Sequence, residues 1–432
     1  MPHSPTPEET FLWDCARHWR TPQHIEIPAR LDWARIAQIA IPNRMAHLLR
    51  RTLITRGVWD NLPDAPRAAI AASADRLRQN ADTLGGFLAR YLQRAAARGI
   101  PTAVLKGLSI SSNIYGDPAM RPGGDIDLLV RPRDVPACLA ALEEIGIGAY
   151  WHNLMHDDYY TRHHLHQQRS TPDTKTWFEI HWALDHPYTL LTIDYAALLD
   201  RATPGTLLDQ PVADLTPPDL LLTLAVHLVK HAIHLPATVQ RADLPRLVLA
   251  EGMLMYHLDI AETIRQHPDL DWEALIQLAR QTGTAEIFGA VLRAGVTLLG
   301  VRVPEGVIQS LPVGGRGVIT RRAMHAVVDR QVSQYLGTPR SKIWDALVIT
   351  NGAFILRPIR LLESAAYFLP PAEYLQRAYG QGGLLCRVGH LWQATGKFAR
   401  FGWDSVYFAV ERYRRLKRLG YSASLFNRLD GG

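Results

Sequence analysis

Residues 123–130 read Gly-Gly-Asp-Ile-Asp-Leu-Leu-Val, and this run constrains the chain more than any other. Ile126 to Val130 has the aliphatic composition of a strand buried within a sheet. Side chains two apart on a strand point the same way. Asp125 and Asp127 therefore project together, with Cα atoms about 6–7 Å apart at a rise of about 3.3 Å per residue. Two carboxylates that close repel one another and raise each other's pKa unless a cation lies between them. Mg²⁺ suits such a pair, because it takes oxygen ligands and is commonly held by one or two carboxylates together with substrate phosphates.

A third acid lies on a later strand-like run, Trp177-Phe178-Glu179-Ile180-His181-Trp182, where Glu179 and His181 share a face. If that strand pairs beside Ile126–Val130, Glu179 completes a three-carboxylate cluster. Such a cluster can hold two Mg²⁺ ions about 3.5–4 Å apart, the arrangement used for in-line phosphoryl displacement. Upstream, Val104 to Ser109 reads as strand, turn and helix start. Gly107 lets the backbone approach a ligand, and free N–H groups where the helix opens, around Ser109, favour a phosphate. Lys106 adds a point charge to a triphosphate and Arg121 a bidentate clamp.

The rest of the chain reads as helix. From Asn80 to Arg98, Leu84, Phe87, Leu88, Tyr91, Leu92 and Ala95 recur at three and four, and Gly99 closes the run. Asp134 caps a helix that Gly146 stops, and Thr216 caps another that carries Leu220 to His234. Strands are confined to residues 100–185, with Tyr159–Gln168 and Thr176–Trp182 joined by the turn-prone Ser170–Asp173. With 47% hydrophobic and 20% charged residues, disorder is excluded for the bulk of the chain. A net charge of +6 over 432 residues permits an anionic partner and demands none. Cys15, Cys138 and Cys386 are scattered, which supports neither a disulfide framework nor a zinc-cysteine site and fits a reducing interior. The polar stretch Met1–Glu9 lacks the apolar core of a secretory leader, and no transmembrane segment is evident. A cytoplasmic location is expected.

The order Leu105-Lys106-Gly107, Tyr115-Gly116-Asp117-Pro118-Ala119-Met120-Arg121, Asp125-Ile126-Asp127-Leu128-Leu129-Val130 and Phe178-Glu179-Ile180-His181-Trp182 resembles the bacterial uncharacterised nucleotidyltransferase family, within the DNA polymerase β-like superfamily. The core of the resemblance spans about residues 80–270, with an echo at Phe368-Leu369-Pro370 and Arg377-Ala378-Tyr379-Gly380. It implies an α+β fold, a small mixed β-sheet palm flanked by largely helical N- and C-terminal regions. The expected division is a helical region over 1–99, the palm over 100–190, a helical domain over 191–300 and a helical C-terminal region over 301–432. Asp125, Asp127 and Glu179 would be the catalytic metal ligands. Lys106, Gly107, Ser109, Arg121, Gly124 and His181 would bind the nucleotide. The wider superfamily usually has Gly-Ser where this chain has Lys106-Gly107.

The expected reaction moves a nucleoside monophosphate from a nucleoside triphosphate, ATP first among them, to a hydroxyl or phosphate acceptor on a small molecule, peptide or protein. Pyrophosphate leaves, with two Mg²⁺ ions at the carboxylates. Nucleic acid is not the favoured acceptor. Two alternatives are transfer of another phosphate-linked group, such as a sugar, onto a modified peptide, and an inert nucleotide-binding scaffold.

His227 and His231 have the spacing of a zinc pair, but Leu228 stands where the zinc-protease pattern needs Glu. They read as packing residues; the resembling family often carries a similar pair followed by an acid like Asp259. His163, His164 and His166 read as a solvated strand face, with an edge strand facing substrate as the alternative. His181 is placed either to contact a phosphate or acceptor or to orient Glu179. The run Lys397–Arg418, with seven basic residues among aromatics, reads as a terminal helix packed by its aromatic side, with an amphipathic helix for RNA, membrane or an acidic peptide as the alternative.

Overall fold

Ile126–Leu129 is buried along its whole length and forms the strand around which the functional part of the protein is arranged. A computed structural model describes residues 5–121, 123–149, 165–173, 175–184, 191–231, 239, 242–312, 372–380 and 383–396. The chain divides into two compact units: residues 1–150 with 161–315, and residues 151–160 with 316–432.

The first unit opens with four helices, α1 (Pro7–Arg17), α2 (Trp33–Ala40), α3 (Ala46–Thr55) and α4 (Asp64–Ala97). A full capping box starts α1: the Thr6 hydroxyl accepts from the Glu9 amide while the Glu9 carboxylate accepts from the Thr6 amide. In α4, Leu84, Leu88, Tyr91, Leu92 and Ala95 of the three-and-four pattern are buried while Phe87 is half-buried, and Gly99 turns out of the helix at φ +64°. The Tyr91 ring meets Phe178 of the sheet at 6.0 Å, so the long helix lies against the strand that carries Glu179.

The sheet has five strands, β1 (Ala103–Val104), β2 (Ile126–Leu129), β3 (Gly148–Ala149), β4 (His166–Ser170) and β5 (Trp177–His181), in the order β1-β2-β5-β4-β3. Only β2 and β5 pair in parallel; the other neighbours are antiparallel. The mixed sheet among helices is the α+β class that the sequence predicts. Between β1 and β2 lies a short helix, α5 (Leu108–Ile110), which loosens into a π-turn over Ser111–Tyr115. Between β2 and β3 lies α6 (Val135–Glu143), which Asp134 precedes without a side-chain cap bond.

Strand is not confined to 100–185. After α7 (Tyr195–Arg201) a hairpin forms from β6 (Thr203–Leu207) and β7 (Gln210–Asp214). Leu208 and Asp209 turn it at φ +52° and +60°. Both signs are those of a type I′ turn, but Leu-Asp is not the usual Asn-Gly, and prolines 204 and 211 argue against strand. The hairpin is a two-stranded sheet of its own, and Ala213 donates to the Thr102 carbonyl at 2.8 Å, which ties it to the residue before β1.

The unit then returns to helix through α8 (Pro217–His231), α9 (Leu244–Glu251), α10 (Leu254–Gln266), α11 (Trp272–Gln281), α12 (Ala285–Leu299) and α13 (Glu305–Ser310). Thr216 caps α8 as its position predicts, accepting from the Asp219 amide at 3.4 Å. Among the described residues, the second unit contains α14 (Ala372–Tyr379) and a helix over 384–396. No described helix is long and apolar enough to cross a membrane. Residues His163 and His164, and the basic run Lys397–Arg418, lie outside the described residues.

Candidate active site

Register builds the site. Asp127 stands opposite Glu179 on the parallel pair β2–β5, and such neighbours present side chains to the same face. Asp125 precedes β2 by one residue. Oxygens of Asp125, Asp127 and Glu179 all lie within 4.8 Å of one another. The three acids that the sequence singles out therefore converge.

Lys106 stands among them. The β1–β2 ladder runs one residue further, with Leu105 donating to the Asp127 carbonyl at 3.0 Å, and this sets the next side chain over the carboxylates. Lys106 Nζ is 2.9 Å from Asp127 Oδ2 and 3.1 Å from Asp125 Oδ1. Burial works against its charge, but Asp127, Asp125 and Glu179 hold the ammonium above the ordinary lysine range. Burial and the charge of Asp127 push Asp125 up, against the pull of Lys106.

The turn after Lys106 needs glycine. Gly107 sits at φ +60° and ψ −115°, and a Cβ there would lie 3.5 Å from the Gly123 nitrogen. At Gly123 a Cβ would come within 2.8 Å of the Asp125 carbonyl oxygen, too close for any side chain. Gly124, singled out from sequence, faces open space; the tight approach belongs to its neighbour. Asn80 of α4 donates to the Gly123 carbonyl at 2.8 Å and fixes this loop. Ser109 is half-buried in α5.

His181 is buried beneath the carboxylates. Its Nδ1 is 3.1 Å from the Ala183 carbonyl, and its Nε2 is 3.1 Å from Asp127 Oδ1 and 3.2 Å from Glu179 Oε2. From there it bridges Asp127 and Glu179. Burial disfavours its charge, but the two carboxylates hold its pKa above the ordinary histidine value. Gln168, opposite Glu179 on β4, donates to Glu179 Oε1 at 2.8 Å. Burial would raise the Glu179 carboxyl, but the His181 hydrogen bond and the nearby charges of His166, His181 and Lys106 hold it well below the usual range. Three converging carboxylates among hydrogen-bonded neighbours form a donor set that could hold a divalent metal ion.

Arg121 takes a different place from the phosphate clamp expected of it. Its side chain is 2% exposed, and its Nε donates to Asp259 Oδ2 at 2.6 Å, while Tyr115 donates to Asp259 Oδ1 at 3.1 Å. The guanidinium also lies 5.4 Å from the centre of the Tyr256 ring. Asp259 closes a buried network, the role that the resemblance suggests for an acid at that position. His227 also stacks on Tyr256 at 5.4 Å, and His231 lies 5.6 Å from that ring. Neither histidine joins a metal-capable cluster among the described residues.

Lys230 of α8 is a further cation near the site, one that sequence reasoning did not place there. Burial lowers its pKa, while Glu179, Asp127 and Asp125 pull the other way, which places its charge within electrostatic reach of the carboxylates. The available signal was a stripe: His227, Lys230 and His231 fall three and four apart on the otherwise apolar helix α8.

The same stripe has a pH consequence. Burial, then the Lys106 charge, holds His227 well below its ordinary value. Below the ordinary histidine value the unfolded chain binds a proton at this site that the folded chain refuses, so folding stability falls as pH falls through that range. In denaturant titrations at stepped pH, His227→Gln is expected to flatten that slope.

The model of a family described as uncharacterised nucleotidyltransferase matches residues 29–300, more than half of the chain. No curated protein and no solved structure matches it. With the matched span holding the sheet, the glycine turn and all three acids, the chain belongs to the uncharacterised nucleotidyltransferase family.

Proposed function

We propose that this nucleotidyltransferase moves a nucleoside monophosphate from a nucleoside triphosphate, ATP first among them, to a hydroxyl or phosphate acceptor, with release of pyrophosphate. The observation that carries the reading is the register pairing of Asp127 with Glu179, which brings both within 4.8 Å of Asp125 at the ligand oxygens. Mg²⁺ held by Asp125, Asp127 and Glu179 would supply charge to stabilise the transferring phosphoryl group and would lower the pKa of the acceptor oxygen.

The chain's own residues do the rest. His181 keeps Asp127 and Glu179 at a fixed separation, and Gln168 sets the plane of the Glu179 carboxylate. Lys106 turns its ammonium from the aspartates to the phosphates as the triphosphate enters, and Lys230 brings a second cation from α8. The Gly107 turn lets backbone approach the phosphates, as the absence of a side chain there permits.

Incubation with α-labelled nucleoside triphosphates, Mg²⁺ and cell extract tests the reading. Label is expected on an acceptor together with free pyrophosphate; label that stays on the nucleotide across extracts and metals overturns it. Lys230→Ala is expected to raise KM for the triphosphate about tenfold with a smaller change in kcat, the loss of one charge-assisted contact at about 1.4 kcal/mol per tenfold. Initial rates against nucleotide concentration give both constants.

A further inference from the structure

Strand β4 adds a second constellation to the same face. His166 stands directly opposite His181 in the antiparallel β4–β5 pair, and Glu179 is two residues from His181 along β5. The alternation of strand side chains therefore brings His166, Glu179 and His181 together. Their ligand atoms lie within 4.8 Å of one another. His181 Nε2 is 3.2 Å from Glu179 Oε2, and His166 Nε2 is 3.9 Å from Glu179 Oε1. A tetrahedral ion with ligands at about 2.0–2.1 Å spaces its donors about 3.4 Å apart, between these two values.

The surroundings are those of a ligand set. The Ala183 carbonyl, 3.1 Å from His181 Nδ1, accepts a hydrogen bond from that nitrogen and leaves Nε2 turned toward the carboxylates. A metal-ligating histidine has this kind of partner on its far nitrogen. Gln168, bonded to Glu179 Oε1 at 2.8 Å, does the same for the carboxylate. The His166 and Glu179 side chains keep 14% and 16% exposure, which leaves the cluster open on one side while His181 is buried behind it.

We propose that His166, Glu179 and His181 form a second cation site, of mixed imidazole and carboxylate donors, that binds a divalent transition ion of the zinc class. Two histidines and a glutamate with an open side are the ligands of a catalytic zinc centre, and imidazole selects such ions over Mg²⁺. The site shares Glu179 with the proposed transfer centre, yet it stands on donor geometry and not on the transfer reaction.

Co²⁺, whose visible absorption reports its coordination, is the probe. Titration of the full chain is expected to develop a visible band that equimolar Zn²⁺ abolishes and excess Mg²⁺ leaves in place. His166→Gln is expected to weaken Co²⁺ binding by at least about tenfold, and His166→Asp, which restores a donor, to recover much of it. Asp125→Asn is expected to keep the band while losing nucleotide transfer, which separates failure of this site from failure of the transfer reading. The proposal is overturned if no band forms, if Mg²⁺ displaces Co²⁺ as readily as Zn²⁺ does, or if His166→Gln titrates as the parent protein does. Should His166→Gln fail to fold, the Zn²⁺ against Mg²⁺ competition on the parent chain decides.

Discussion

Asp127→Asn is expected to abolish nucleotide transfer. Asp127 is the most enclosed of the three acids, at 3% side-chain exposure, and it touches both Lys106 and His181. The amide keeps the shape and removes the charge. A ligating carboxylate contributes several kcal/mol to stabilising the transition state, and at about 1.4 kcal/mol per tenfold its loss lowers kcat by about 10³ or more. Single-turnover transfer of α-label measures the drop, and circular dichroism checks that the sheet survives. Transfer within tenfold of the parent would remove the carboxylate cluster from the mechanism. Asp125→Asn should lose transfer too, with less disturbance to folding, because Asp125 is 26% exposed.

Asp259→Ala is expected to have the largest effect on stability. It strands the Arg121 guanidinium in the interior and removes the acceptor for the Tyr115 hydroxyl. Breaking one side of a buried ion pair costs about 3–5 kcal/mol, a large part of the roughly 5–15 kcal/mol that holds a domain together. Urea denaturation reads the loss as a lower midpoint at unchanged slope. The paired replacement Arg121→Met with Asp259→Leu is expected to recover most of it, because no uncompensated charge is then left. If the single replacement costs under about 1 kcal/mol, the pair is not the strut that its burial implies.

The metal-capable face was legible because its signals are local. Asp125 and Asp127 declare themselves by period-2 spacing before an aliphatic strand, and Glu179 by its own alternating strand. Pairing of β2 with β5 was an assumption that the register fulfils. Less could be read where a role depends on what lies across space. Arg121 has the chemistry of a phosphate clamp, but its partner Asp259 is 138 residues away, and no spacing rule announces that contact. Gly124 and Gly123 cannot be told apart until the turn at Gly107 is seen packing against one of them. For His166 the sequence leaves a solvated face and a substrate-facing edge both open, and only β4 set beside β5 decides between them. The β6–β7 hairpin was hidden by its prolines and its Leu-Asp turn, which carry the opposite of the usual strand signals.

That hairpin bears on how the protein can be divided. By donating to Thr102 it covers the start of the edge strand β1, whose free backbone groups would otherwise face any passing chain. A fragment ending near residue 190, where strand-poor sequence invites a cut, would bare that flank and self-associate through it. Recombinant pieces meant to stay dispersed should therefore extend past Asp214.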